Sequence, residues 1–308
     1  MNNFNSNIPN LVMLVQPDHF GFNPETANSN HFQNKVNLTS AEVKAMVKNE
    51  FAGVLAAFDK HKIAYKTFEV GEEVLPDAVF PNNWIAVLPN RTLGLFPMYT
   101  PNRRAEVRAD IINWVKKVSA VQHEINLLEK ANEGVILEGT GSMVFDHAAK
   151  KAYACESDRT SIPLFEAFCR QIGYQPISFE SVDLNGKQIY HTNVMMAIGD
   201  RYALINLDSI PNQLEQSFCR LSLEKSGKEI ISLTYPQMNA FAANVLEVQN
   251  KAGDIFLIMS ITAFNVLSQK QKDKISAYAT LLPVDVSTIE KIGGGSIRCM
   301  LAGLFTNP

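Results

Sequence analysis

Val194-Met195-Met196-Ala197-Ile198 and Tyr202-Ala203-Leu204-Ile205 flank the turn Gly199-Asp200-Arg201. Two short apolar runs around such a turn read as a β-hairpin. The pattern recurs three times: Trp84–Leu88 with Leu93–Pro97, Ser142–Phe145 with Lys151–Cys155, and Val245–Val248 with Ile255–Met259. Helical patterns lie at Ser40–His61, Arg103–Val118, Ser161–Ile172, Asn212–Glu224 and Thr262–Tyr278. The first has Ser40 as its expected N-cap and places Val43, Val47, Phe51, Val54 and Phe58 on one stripe. Strand, strand, helix, strand is the repeating order.

Asn83, Gly141, Asn193, Asn244 and Cys299 each stand before, or at the start of, an apolar strand, at spacings of 58, 52, 51 and 55 residues. A near-constant period marks stacked modules. The expected fold is α/β, a five-module α/β propeller with pseudo-fivefold symmetry, covering 1–308 as a single catalytic domain. In such a ring, equivalent positions of distant modules converge on the axis. An ordinary two-domain α/β protein is the alternative, and the even spacing argues against it.

Composition narrows the class. With 46% hydrophobic and 19% charged residues, the chain reads as a globular protein with a sizeable core. A net charge of -3 points to neither nucleic acid nor an anionic membrane surface. Cys155, Cys169, Cys219 and Cys299 show neither a CxxC pair nor zinc spacing, which suits reduced thiols in the cytoplasm. The polar start Met1–Asn7 lacks the layout of a signal peptide, and the apolar run Ile255–Leu267 is too short to span a bilayer. That run reads as a core strand continuing into a helix.

Four segments carry polar residues where strands call for apolar ones: Asp77-Ala78-Val79-Phe80-Pro81-Asn82-Asn83-Trp84, Leu137-Glu138-Gly139-Thr140-Gly141-Ser142, Tyr190-His191-Thr192-Asn193-Val194, and Gly293-Gly294-Gly295-Ser296-Ile297-Arg298-Cys299. In the last, a glycine run lets backbone N–H groups crowd one point and favour an anion, and Cys299 beside Arg298 is placed to ionise. Together a thiol, a histidine and a carboxylate supply a nucleophile, a proton shuttle and an orienting charge. Each residue alone also has a plainer reading: a buried inert cysteine, a hydrogen-bonded core histidine, a glutamate capping a turn. Cys155, Cys169 and Cys219 lack such a setting and read as structural.

These four motifs, in this order, resemble the guanidine-modifying superfamily (amidinotransferase or arginine deiminase-like, the pentein fold). The stretch Gln16-Pro17-Asp18-His19-Phe20-Gly21-Phe22-Asn23-Pro24-Glu25-Thr26-Ala27 is most similar to its citrulline-hydrolase branch. The resemblance spans nearly the whole chain. It implies a five-module propeller, Cys299 as nucleophile on a guanidino or ureido carbon, and His191 as general acid/base. It further implies Glu138 as the carboxylate orienting substrate and histidine, and Asp77 as an acidic residue of the site's wall or entrance.

Asn83 and Asn193 depart from the aspartates that arginine deiminases carry. A planar cation suits paired carboxylates, whereas an uncharged amide suits a neutral ureido group. The expected substrate is therefore citrulline or a close ureido compound. An arginine dihydrolase or deiminase, an amidinotransferase, and a ribosome-associated propeller that only binds are the rivals. Asn82 is a further candidate for substrate contact, and Asn239 a weaker one. Arg103, Arg104, Arg108 and Arg298 are candidates for the substrate carboxylate, with Arg104 and Arg298 preferred. No cofactor and no metal are expected; partners are a small-molecule amino acid, neither nucleic acid nor membrane, with a homo-oligomer left open.

Overall fold

The structure, a computed structural model, describes residues 5–27, 29–30 and 32–306. The first four residues of the stretch read for a signal peptide lie outside it. Among the described residues there are fifteen strands in five three-stranded sheets. The strands are β1 (Leu11–Val15), β2 (Tyr65–Phe68), β3 (Ile85–Val87), β4 (Thr92–Leu95), β5 (His123–Asn126), β6 (Val144–Asp146), β7 (Lys151–Cys155), β8 (Gln175–Phe179), β9 (Met196–Ile198), β10 (Tyr202–Ile205), β11 (Glu229–Ser232), β12 (Leu246–Gln249), β13 (Ile255–Ser260), β14 (Thr280–Val284) and β15 (Ala302–Leu304).

Every sheet repeats one plan. A central strand pairs antiparallel with its hairpin partner on one side and parallel with a third strand on the other. In the hairpin modules β4, β7, β10 and β13 are central. The remaining sheet is assembled from both ends of the chain: β1 is central, β15 pairs antiparallel with it through Leu11↔Leu304, and β2 pairs parallel through Val12↔Tyr65. Five sheets thus fit five modules, and the carboxyl-terminal strand completes the amino-terminal sheet.

The central strands are continuous apolar runs because both their faces are covered; β4 and β10 are buried throughout. The parallel third strands sit at sheet edges and carry polar residues, as in His123-Glu124-Ile125-Asn126, where only Ile125 escapes full exposure. The hairpins were legible from apolar runs, but these edge strands lack that signal.

A parallel connection needs a crossover, and each module supplies it with helix. Ser40–Lys60 buries Val43, Val47, Phe51, Val54 and Phe58, the expected stripe. Its N-cap is Thr39 rather than Ser40: Thr39 accepts from the Glu42 N–H while the Glu42 carboxylate accepts from the Thr39 N–H, a reciprocal capping box. The expected helix over Arg103–Val118 divides into Pro101–Arg104 and Ala109–Val118. That over Thr262–Tyr278 divides into Ile261–Val266 and Gln269–Ser276, because Ser268 with Gln271 starts a new capping box. Ile162–Ile172 and Gln213–Lys225 are capped by Ser161 and Asn212. Among the described residues no helix is long and apolar enough to cross a membrane.

The antiparallel partners of the five central strands, β3, β6, β9, β12 and β15, each the first strand of its module, line one cavity of about 100 Å³. Arg298, Lys228, Asp146 and Glu247 also face it. The segments that precede these strands carry the chemistry.

Candidate active site

A single turn of helix precedes four of the five first strands: Pro81–Asn83, Gly139–Ser142, Thr192–Met195 and Ile297–Met300. The expected strand start at Val194 is part of the third of these turns. In the remaining module Asn244 closes a turn by donating its N–H to the Phe241 carbonyl. These turns bring the five evenly spaced positions together. At Gly141 a Cβ would lie 2.4 Å from Asn83 Nδ2 and 2.7 Å from the His191 ring, so only glycine fits. Asn193 Nδ2 and Asn244 Nδ2 donate to Cys299 Sγ at 3.7 and 3.3 Å.

Cys299, His191, Asn83, Asp77, Arg103 and Arg159 face one pocket of about 20 Å³. His191 Nε2 meets Glu138 Oε2 at 2.8 Å, and Arg159 Nη1 reaches the same oxygen at 3.4 Å. The Tyr99 N–H donates to Glu138 Oε1 at 2.9 Å. Burial alone would push the Glu138 carboxyl up, but the Arg159 and His191 contacts outweigh it and hold it well below the usual carboxylate range. Burial pulls His191 down to about 4, against the opposing pull of Glu138. The resting site therefore holds a carboxylate and a neutral imidazole at neutral pH.

Asp77 is buried; its Oδ2 accepts from Asn23 Nδ2 at 2.7 Å and from Thr26, while Oδ1 has no protein partner. The amino-terminal motif thus builds the site's wall. Burial raises the Asp77 carboxyl, opposed by Arg103. Asn82 turns away from the pocket and donates to Thr140 Oγ1 at 3.2 Å, tying two modules together. Asn193 is brought to the sulfur and to the cavity lined by the first strands, rather than to the pocket wall.

The arginine candidates separate. Arg103 lies in the site, bidentate on Glu106 at 2.9 Å and donating to Asn83 Oδ1 at 2.8 Å. Arg104 donates to the carbonyls of Met98 and Tyr99, and Arg108 pairs with Asp110. Arg298 donates to the Leu301 carbonyl and faces the first-strand cavity behind the thiol. Asn239 is exposed at the end of Tyr235–Asn239.

The glycine run acts by close approach. Gly294, at φ +64°, ends the helix Ser287–Gly293, and its N–H is taken by the Glu290 carbonyl rather than turned to the thiol. A Cβ there would lie 2.7 Å from the Gln33 backbone nitrogen. The remaining cysteines are buried, and burial raises Cys155 to about 11 and Cys169 and Cys219 to about 12, consistent with inert structural thiols.

Sequence reasoning missed Arg159, Glu106 and the function of Asn244. Arg159 lies between the central strand Lys151–Cys155 and the helix Ile162–Ile172, and Arg103 lies between the central strand Thr92–Leu95 and the helix Ala109–Val118 one module earlier, in the short helix Pro101–Arg104. That shared module position was the available signal.

Comparisons with known proteins bear on the fold and the family. No curated protein sequence matches the chain. The profile of the family described as N,N dimethylarginine dimethylhydrolase, eukaryotic, matches residues 16–306. Among solved structures, ArgZ, an arginine dihydrolase from the ornithine-ammonia cycle in cyanobacteria, superposes with TM-score 0.74 at 17% identity. That match covers 97% of this chain and 41% of ArgZ, so the chain spans about two fifths of that protein's length. The N-terminal domain of ArgZ bound to product matches at TM-score 0.70 and 16% identity, covering 95% of this chain and 96% of that domain. A cysteine-to-serine mutant of DDAH from Pseudomonas aeruginosa, complexed with citrulline, gives TM-score 0.62 and 16% identity, covering 96% of this chain and all of that one. With a profile match over nearly its whole length, the chain belongs to the N,N dimethylarginine dimethylhydrolase, eukaryotic, family.

Proposed function

We propose that the protein hydrolyses citrulline at its ureido carbon, giving ornithine, carbon dioxide and ammonia through a covalent adduct on Cys299. The observation that carries this reading is the direction of the Asn83 amide. Its Oδ1 is occupied by Arg103 at 2.8 Å, so its buried Nδ2, with no protein partner, is the side left for a substrate. A ureido group has a carbonyl oxygen to accept that donor, whereas a guanidinium carries only donors. A guanidinium there would leave two sets of N–H groups facing each other in a buried site, which costs the full desolvation of each.

The rest of the pocket suits a free amino acid. Arg159 is buried with Nε lacking a protein partner, and Asp77 Oδ1 is likewise open. They offer a cation for the α-carboxylate and an acceptor for the α-ammonium group. At about 20 Å³ the pocket is too small for citrulline. Asn30, which lines it and donates to the Gly293 carbonyl, must then give way to a bound amino acid.

In the proposed reaction the sulfur attacks the ureido carbon, and neutral His191 takes up the thiol proton and returns it to the departing amine. Glu138 steadies the imidazolium formed between these steps. Water then attacks the thiol-bound carbonyl with His191 as base, and the released carbamate decomposes to carbon dioxide and amine. The convergence of five equivalent positions supports a closed five-module propeller over 1–308 as the frame. Product counting tests the reading: ornithine and ammonia form from citrulline in equal amounts. No ornithine from citrulline sinks it, and two ammonia per ornithine from arginine establishes instead the dihydrolase activity for which ArgZ is named.

A further inference from the structure

Tyr190 touches both ends of the pocket's machinery. Its hydroxyl donates to the Gly294 carbonyl at 2.9 Å, in the segment that leads to Cys299. Its ring packs under the Arg159 guanidinium, whose Cζ lies 4.9 Å from the ring centroid. A second contact ties the same two residues: Ser157 Oγ donates to the Tyr190 carbonyl at 2.8 Å and accepts from the Arg159 N–H at 3.1 Å. Arg159, Tyr190 and Gly294 belong to three different modules. Tyr190 is buried and faces the pocket together with Arg159, His191 and Cys299. A cation over an aromatic face is held more strongly where water is excluded, so this ring is a firm seat for the guanidinium.

We propose that Tyr190 is a positioning residue that fixes the reach between the carboxylate grip and the nucleophile, and so selects the length of the substrate's aliphatic chain. The inference rests on the reading above that Arg159 takes the α-carboxylate of the substrate. A substrate held at one end and attacked at the other must match the separation of the two groups. A chain one methylene too short or too long sets its reacting carbon off the line of attack, and such displacements are costly. Neither group measures length alone. Arg159 accepts the carboxylate of any α-amino acid, and the Cys299 sulfur attacks whatever carbon is brought to it. Length is measured by what joins them, and Tyr190 joins them with separable parts: the ring steadies Arg159, and the hydroxyl steadies Gly294.

The test compares citrulline with the ureido amino acids one methylene shorter and one methylene longer, using the full chain. The quantity read is the ratio of kcat/KM for citrulline to that for each homologue. Tyr190→Phe keeps the ring under Arg159 and frees the Gly294 carbonyl. Ser157→Ala loosens the Arg159 side without altering the groups that line the pocket. In both, the preference for citrulline is expected to fall by about tenfold, the scale on which one methylene is discriminated. A merely structural loss lowers activity on all three substrates alike and leaves the ratios unchanged; that result in Tyr190→Phe overturns the proposal. Should Tyr190→Phe fail to fold, unchanged ratios in Ser157→Ala overturn it. A wild type that does not discriminate among the three lengths overturns it as well. Turnover of arginine without turnover of citrulline overturns the substrate reading alone, and the same ratio is then read on arginine and its homologue one methylene longer, with the same outcomes deciding.

Discussion

Arg103 Nη1 donates to Asn83 Oδ1 at 2.8 Å, and this contact decides which face of the Asn83 amide a substrate meets. Arginine cannot accept a hydrogen bond, so the amide oxygen must turn toward it. Arg103 is itself fixed: Glu106 binds Nε and Nη2 at 2.9 Å each, and the carbonyls of Phe80 and Asp77 share the other Nη2 N–H. The chain Glu106–Arg103–Asn83 thus converts a buried ion pair into a directed donor.

Asn83→Asp reverses that donor. One carboxylate oxygen pairs with Arg103 and the other presents an acceptor to the pocket. We expect kcat/KM for citrulline to fall by about 100-fold or more, with the arginine-to-citrulline ratio of turnover rising. Parallel assays of both substrates check it; an unchanged ratio refutes the directed-donor argument.

Glu106→Gln removes the carboxylate from a pair whose side chains are 3% and 2% exposed. Arg103 then keeps only the charges of Asp77 and Glu138, which do not bond it directly, at a cost of about 3–5 kcal/mol in unfolding free energy. Urea unfolding should show this loss, and citrulline KM should rise as Asn83 loses its fixed orientation.

Gly141→Ala adds a methyl group 2.4 Å from Asn83 Nδ2 and 2.7 Å from His191 Cε1 and Nδ1. Both side chains must shift, and small displacements of reacting groups are costly. The expected outcome is a drop of about tenfold or more in kcat with far-ultraviolet circular dichroism unchanged.

His147 gives a pH signature away from the pocket. Its ring stacks on Phe145 and bonds the Tyr174 hydroxyl, and burial, helped by Lys228 and Arg298, lowers it to about 3. The folded chain keeps it neutral where the unfolded chain protonates it. Its contribution to stability is present above the ordinary histidine range and is lost as pH falls from there toward 3. At pH 5 the wild type should take up about one more proton on unfolding than His147→Phe, read from the pH slopes of the two unfolding free energies. Equal slopes would contradict a His147 held neutral by the fold.

The residues of the site differ in how far the chain itself disclosed them. Hairpin strands, the helix stripe from Val43 to Phe58, the module period and the set Cys299, His191 and Glu138 were legible, because apolar periodicity and polar residues inside strand patterns are local signals. The edge strands such as His123–Asn126 were not, since a strand exposed at a sheet edge has no apolar pattern to read. Arg104 and Arg103 are adjacent in sequence, yet one faces backbone carbonyls and the other the pocket, a choice made by the break between Pro101–Arg104 and Ala109–Val118. Asn83 and Asn193 looked like a matched pair, and packing divided them: one toward the pocket, one onto the sulfur. Local pattern determined which residue types occupy the turns before each first strand. Only tertiary structure decided where each amide points, because that depends on donors and acceptors from other modules, many residues away in sequence and within hydrogen-bond distance in space.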